Sequence, residues 1–251
     1  MHKNKKILEL VMTVLILVCA FYAGRLGAGI MASGGVRSET GSDAASGEVK
    51  QELGTVVYDK ITVVVDAGHG GIDSGKVGVN GALEKEVNLS IAKKLAARLE
   101  ENGITAVLTR EEDSGLYDEG EANKKQQDMK RRCAVIDEIE PFLAVSIHQN
   151  SYHQEAISGG QVFYYSRSEK GKKLAEILQE RFDYVLGEKN TRQAKANDSY
   201  YMLLHVKQPI VIVECGFLSN WDEAARLNTP EYQDRLAWTI HMGVMEYLNG
   251  R

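Results

Sequence analysis

Apolar and polar positions along the chain form blocks that predict strands and helices in alternation. Residues 61–65 make an apolar run typical of a buried strand, and the glycines after Asp66 predict a loop directly at its end. Apolar residues then recur every fourth position across residues 84–101, which predicts a helix with one apolar face that stops at Gly103. His69 would therefore stand on a loop at a strand end, where flanking glycines let the backbone approach a ligand.

The same alternation continues to the C-terminus. An amphipathic helix is predicted around residues 174–185, and two closing helices follow, the second with Thr229 as N-cap and Pro230 at its first position. This order predicts an α/β fold: a single three-layer domain with a mostly parallel twisted sheet flanked by helices. Further strands are predicted over residues 104–109, 142–147, 161–165 and 210–213, with a helix between the first two that ends before Pro141.

The first 24 residues have the composition of a targeting sequence. Lysines at positions 3, 5 and 6 precede an uncharged, largely apolar run over residues 10–23. As a helix this run would be about 21 Å long, shorter than the roughly 30 Å hydrocarbon core of a bilayer. Residues 1–24 are therefore predicted to be a signal peptide or a short N-terminal membrane anchor, with the rest of the chain exported.

Composition separates the remaining chain into two parts and excludes some functions. Residues 25–55 are rich in Gly, Ser, Ala and acidic residues, which predicts a flexible tether, and residues 56–251 are predicted to form the folded domain. A net charge of -5 argues against nucleic acid as a partner. Three widely separated cysteines indicate neither a disulfide framework nor a thiolate zinc site, so histidines and carboxylates would have to hold any metal.

Ligand-type residues follow several of the predicted strands. His69, His148 and Glu214 each lie just past the carboxyl end of a predicted buried strand, and in a parallel sheet those ends share one edge. Glu84 begins the helix after the His69 segment. Two imidazoles and one carboxylate with an open fourth position form a catalytic zinc site, which leaves one carboxylate as a general base. The spacing alone does not decide which glutamate has which role.

Four segments together resemble the zinc-dependent N-acetylmuramoyl-L-alanine amidases of the amidase type 3 family, from about Val57 to the C-terminus. This resemblance implies a fold like that of zinc exopeptidases and amidases, and a substrate amide between N-acetylmuramic acid and the L-alanine of the peptidoglycan stem peptide. The segments are Asp-Ala-Gly-His-Gly-Gly-Ile-Asp-Ser-Gly (66–75), Glu-Lys with Asn-Leu (84–85, 88–89), Ser-Ile-His-Gln-Asn (146–150) and Pro-Ile-Val-Ile-Val-Glu-Cys-Gly-Phe-Leu-Ser-Asn (209–220).

The resemblance also implies roles for the site residues. His69, Glu84 and His148 would bind one zinc ion per chain, and Glu214 would take a proton from a zinc-activated water and return it to the leaving amine. Cys215 neighbours this base, but we expect it to be a small buried core residue. Arg132 occupies a family-like position and is expected to be an exposed helix residue, while the family more often has a small residue in place of Gln149.

The layout of targeting segment, tether and catalytic domain is similar to that of short sporulation and germination amidases, the CwlD-like group. That similarity implies a role in spore cortex maturation, through muramic lactam formation, at the extracytoplasmic face of the membrane, in the cell wall or in the forespore intermembrane space. A housekeeping cell-separation amidase, a zinc exopeptidase acting on free peptides and a non-catalytic wall-binding protein stay open as alternatives. The sequence also leaves open whether an accessory protein activates the enzyme.

Overall fold

A computed structural model describes residues 61–187 and 190–250, so the predicted targeting segment (1–24) and tether (25–55) lie outside the described residues. Within the described part, no helix is both long enough and apolar enough to cross a membrane. The strands are β1 (Thr62–Ala67), β2 (Thr105–Leu108), β3 (Leu143–Asn150), β4 (Gln161–Tyr164), β5 (Lys195–Ala196) and β6 (Ile210–Phe217). The helices are α1 (Glu84–Glu101), α2 (Lys124–Ile139), α3 (Glu169–Leu186), α4 (Tyr201–His205), α5 (Trp221–Leu227) and α6 (Pro230–Asn249).

The strands form one sheet in the order β2-β1-β3-β6-β4-β5. β2, β1, β3 and β6 are parallel to one another, whereas β4 runs antiparallel to β6 and β5 is parallel to β4. The predicted α/β class with a mostly parallel sheet is confirmed. The four parallel strands bring the carboxyl ends of β1, β3 and β6 side by side at one edge of the sheet.

Alternate side chains of the central strands build two separate apolar layers. Val63 and Val65 of β1 pack in the larger layer, which includes residues of α1, α3, α5 and α6. Val64 points to the opposite face and packs with residues of α2 and α4. Helices therefore cover both faces of the sheet, as in a three-layer domain. Because side chains alternate along a strand, Asp66 lies on the same face as Val64, toward α2.

Most helix predictions are confirmed, including the whole of α1 over residues 84–101. The predicted cap of α6 is also present, since the Thr229 side chain accepts a hydrogen bond from the backbone amide of Tyr232 and Pro230 is the first helical residue. The short elements β5 and α4 were not predicted. Two and five residues are too few to show a periodicity, so their backbone is determined by contacts with the rest of the domain.

The predicted ends of two central strands were wrong. β3 continues to Asn150 and β6 to Phe217, so His148 and Glu214 stand inside strands and not after them. The two strands extend because they pair with one another, with Cα partners His148 and Glu214 and a register shift between His148 and Asn150. Backbone pairing satisfies the amides of these polar residues, which the local sequence pattern cannot show.

Candidate active site

The residues singled out from the sequence meet in one cleft of about 610 Å³ at the carboxyl edge of the sheet. His69 comes from the loop after β1, Glu84 from the first turn of α1, His148 from β3 and Glu214 from β6. All four line this cleft. The tertiary structure therefore brings together residues that lie up to about 145 positions apart in the chain.

Three of these side chains present ligand atoms to one another. Nε2 of His69 lies 3.1 Å from Oε1 of Glu84, and Nδ1 of His148 lies 3.0 Å from the same oxygen. The ligand atoms of the three residues all lie within 4.8 Å of one another. Tetrahedral zinc with bonds of about 2.0 Å separates its ligand atoms by about 3.3 Å, so the donor set and its spacing fit a zinc ion.

The loop after β1, residues 68–75 and here called the His69 loop, holds its histidine in an unusual backbone conformation. His69 has a φ of 63°, a left-handed value that is uncommon for residues with a side chain. Oδ2 of Asp73 lies 2.8 Å from Nδ1 of His69. An Nδ1–H donated to this carboxylate leaves Nε2 without a proton and able to bind a metal, as is usual for metal-binding histidines.

Two glycines allow the side chains of the proposed metal ligands to pack closely against the backbone. A Cβ atom on Gly68 would lie 2.3 Å from the imidazole of His148, and one on Gly75 would lie 2.5 Å from Oε2 of Glu84. Gly75 also has a φ of 66°, which favours glycine. These positions explain physically why the segment that resembles the amidases is rich in glycine.

Glu84 is held as a buried anion. Its side chain is 3% exposed, and it accepts hydrogen bonds from the backbone amides of Lys76 (2.8 Å) and Gln149 (3.1 Å). Burial by itself would raise the pKa of Glu84, but hydrogen bonds and charge interactions with His148 and His69 lower this pKa well below its usual range. An ionised carboxylate next to two imidazoles is the form that a zinc ion requires.

Glu214 has the opposite electrostatic character. Burial raises its pKa to about 7, helped by the negative charge of Glu84, and the imidazole of His148 only partly offsets this effect. The hydroxyl of Tyr200 also lowers the pKa of Glu214, but by less than burial raises it. Among the described residues, Oε2 of Glu214 is buried without a hydrogen-bond partner. A carboxyl group that lines the cleft and has a pKa near neutrality is suited to proton transfer.

Cys215 is a buried core residue, as expected. It follows Glu214 in β6, so its side chain points to the opposite face of the sheet, into the larger apolar layer. Burial raises the pKa of its thiol well above the ordinary value. A thiol that is protonated and outside the cleft is not a nucleophile for this site.

The expectation of an exposed Arg132 was wrong, because this side chain is only 2% exposed. It donates a hydrogen bond of 2.8 Å to Oδ1 of Asp66, which is fully buried on the face of the sheet toward α2. Burial would raise the pKa of Asp66, but Arg132 and the hydroxyls of Ser146 and Thr109 lower it to about 2. A buried acidic residue inside an apolar strand needs a cationic partner. The position of Asp66 in the sequence could therefore have indicated that an arginine such as Arg132 is buried.

Asp73, Tyr200 and Arg110 are further site residues that the sequence interpretation missed. Asp73 lies in the amidase-like segment 66–75, and its position four residues after His69 could have indicated a contact between the two side chains. Tyr200 precedes the short helix α4 and lines the cleft because α4 packs on the sheet. No local pattern marks Arg110, which follows β2 and is buried.

The chain is similar to known proteins in both sequence and fold. The family described as N-acetylmuramoyl-L-alanine amidase matches residues 63–246. A germination-specific N-acetylmuramoyl-L-alanine amidase of Bacillus subtilis is 37% identical over 188 residues, which cover 74% of this chain and 78% of that protein. The structure of the CwlD amidase from Clostridioides difficile in complex with the GerS lipoprotein has a TM-score of 0.74 and 36% identity, and the match covers 76% of this chain and 100% of that chain. AmiC2 of Nostoc punctiforme, another N-acetylmuramoyl-L-alanine amidase, has a TM-score of 0.66 and 32% identity over 75% of this chain and 97% of its own.

Proposed function

This chain belongs to the N-acetylmuramoyl-L-alanine amidase family, and we propose that it cleaves its peptidoglycan substrate with one zinc ion and with Glu214 as the proton-transferring residue. The bond is the amide between N-acetylmuramic acid and the L-alanine of the stem peptide. The observation that carries the proposed mechanism is the pairing of a three-ligand cluster, His69, Glu84 and His148, with the buried, unpartnered Oε2 of Glu214.

His69 through Nε2, Glu84 through Oε1 and His148 through Nδ1 would hold the zinc ion. When bound there, zinc supplies Lewis acidity, which lowers the pKa of a water molecule toward about 7 and polarises the substrate carbonyl. Three protein ligands leave a coordination position open, as in catalytic zinc sites. Asp73 holds the His69 ring in the orientation that binding requires.

Glu214 performs both proton transfers. Its carboxylate takes a proton as the nucleophile forms and later gives that proton to the departing alanine amine. A pKa of about 7 suits both steps, because the group is a competent base and a competent acid near neutral pH. Tyr200, which also lines the cleft, favours the ionised form of this carboxylate. Cys215 takes no part, so this mechanism has no covalent enzyme intermediate.

We further propose that the enzyme acts in spore cortex maturation, where removal of stem peptides allows muramic lactam to form. The germination-specific relative and the CwlD structure support this role. Because that CwlD structure contains the GerS lipoprotein, an accessory protein partner is part of the proposal for this chain. The proposed location is the extracytoplasmic face of the membrane or the cell wall, including the forespore intermembrane space, with attachment through residues 1–24.

Muropeptide analysis tests the bond that is cut. Purified sacculi are digested with the enzyme, with and without a zinc chelator, and the products are identified by mass spectrometry. We expect free stem peptides with an N-terminal alanine, and we expect the chelator to abolish them. Cleavage of free peptides that lack muramic acid would favour an exopeptidase, whereas no product in either sample would favour a wall-binding protein.

A further inference from the structure

Arg110 is buried beside the proposed metal centre and uses its guanidinium group on backbone carbonyls. Its side chain is 3% exposed. Every carbonyl that it contacts belongs to a segment around the His69 loop. The acceptors are the carbonyls of Ala67 (2.9 Å) and Gly68 (3.1 Å) before His69, Lys85 (2.7 Å) in α1, and Glu112 (3.0 Å) after β2.

These acceptors connect the two segments that carry proposed metal ligands. Gly68 directly precedes His69, and Lys85 directly follows Glu84. One guanidinium nitrogen, Nη2, donates to both of these carbonyls. The loop also packs directly on this group, since a Cβ atom on Gly70 would lie 3.0 Å from Nε of Arg110. The planar guanidinium group of Arg110 therefore connects the backbone segments that carry His69 and Glu84.

Arg132 completes the arrangement from the side of α2. It donates to the carbonyl of His69 (2.6 Å) and shares the carbonyl of Ala67 (2.7 Å) with Arg110. The carbonyls of residues 67, 68 and 69 are therefore all held by buried guanidinium groups. This restraint acts on a glycine-rich loop whose histidine has a left-handed backbone conformation, which persists only where surrounding structure holds it.

Two buried cations beside the proposed zinc site would oppose metal binding electrostatically, so their presence requires a reason. Burial and the charge of Arg132 lower the pKa of Arg110 to about 10. Asp66 and Asp128 compensate Arg132 through hydrogen bonds of 2.8 and 2.6 Å. Among the described contacts, Arg110 makes its hydrogen bonds to carbonyl groups only. Its position is explained by the carbonyl groups that it holds together.

We propose that Arg110 is a positioning residue that holds His69 and Glu84 at coordinating distance and thereby determines the zinc affinity of the site. The inference rests on the proposed metal centre. Lysine cannot replace arginine in this role, because its three donors radiate from one atom and do not form a planar fork that reaches carbonyls of three segments. Partners that orient metal ligands typically change metal affinity about 10- to 100-fold when they are replaced.

The test is the zinc affinity of Arg110→Lys, measured by competition with a chromophoric chelator. We expect zinc binding to weaken about 10- to 100-fold. Two controls separate positioning from general stability. Arg98→Lys replaces a guanidinium group whose Nη2 donates to both carboxylate oxygens of Asp234 at the surface. Ile136→Val removes one methylene from the apolar layer beside α2. Both controls should bind zinc within about twofold of the wild type, even where Ile136→Val lowers the melting temperature.

An Arg110→Lys variant with zinc affinity within twofold of the wild type would overturn the proposal, and so would an equal loss in Ile136→Val. A wild-type protein that binds no zinc would instead overturn the proposed metal centre. Arg110→Gln is the second variant. If both variants are unfolded without metal, we measure the zinc concentration that restores their circular dichroism signal. Refolding of the variants at the zinc concentration that saturates the wild type would contradict the proposal.

Discussion

His148 and Glu214 stand opposite one another in register on the neighbouring parallel strands β3 and β6. Paired residues on adjacent strands point their side chains to the same face, with backbones roughly 4.8 Å apart. One residue is a proposed metal ligand and the other is the proposed base. The sheet thus holds both groups on rigid backbone, while His69 comes from a loop that other side chains have to restrain.

Replacing Glu214 by Gln should separate metal binding from catalysis. Gln keeps the shape of the side chain but cannot take up a proton, so we expect normal zinc content and a loss of activity of about 10²- to 10⁴-fold. Peptide release from purified sacculi and zinc content per chain are measured on the same preparation. Near-normal release would eliminate Glu214 as the base.

Replacing His148 by Ala should remove metal and activity together. Loss of one of three ligands should weaken zinc binding by more than the roughly 100-fold cost of losing an orienting partner. The matched control is His241→Ala on α6, where the imidazole contacts Asn102 and not the cleft. Elemental analysis after dialysis gives the zinc content. Full zinc occupancy in His148→Ala would show that the metal ligands are assigned incorrectly.

Replacing Tyr200 by Phe should change the pH dependence of the reaction. The hydroxyl of Tyr200 favours the ionised form of Glu214 and lowers its pKa, so removal of this hydroxyl should raise the pKa above the value of about 7. The acid limb of kcat/KM should therefore move to higher pH, with the largest loss of activity below pH 7. A uniform loss at every pH would mean that Tyr200 contacts the substrate and not the base.

Asp66 should make the domain sensitive to acid. Its pKa in the folded protein, about 2, lies below the ordinary value of 3.8. The ionised carboxylate therefore contributes about 2 kcal/mol of stability, which is complete above about pH 4 and is lost as the pH falls toward 2. Asp66→Asn leaves Arg132 without its buried counter-charge, so we expect a loss of roughly 3–5 kcal/mol at pH 7.

Urea unfolding of the wild type and of Asp66→Asn at several pH values checks this expectation. The difference in the free energy of unfolding should become smaller below about pH 4, because the wild-type carboxyl group is then protonated as well. A difference in the free energy of unfolding that stays constant down to pH 2 would show that Asp66 does not stabilise the domain through its negative charge. Asp234→Asn, at the surface partner of Arg98, should have an effect of at most about 1 kcal/mol.

The sequence by itself determined the features that depend on neighbouring residues. The periodic apolar face of α1, the cap at Thr229 and the glycine turn after Asp66 each follow from interactions within a few positions. The alternation of strands and helices then required a mostly parallel sheet, whose carboxyl edge places His69 and His148 close together. For this reason the fold class and a site of four ligand-type residues could be predicted.

Only the tertiary structure decided the features that depend on contacts between distant segments. The extension of β3 and β6 past His148 and Glu214 comes from their mutual pairing, and a local pattern contains no information on register. The burial of Arg132 depends on Asp66, which lies 66 positions earlier in the chain. Arg110 acts on the backbone carbonyls of distant residues, and any residue type offers the same carbonyl group. Such contacts leave no mark in the local sequence because the chain has to fold before the partners meet.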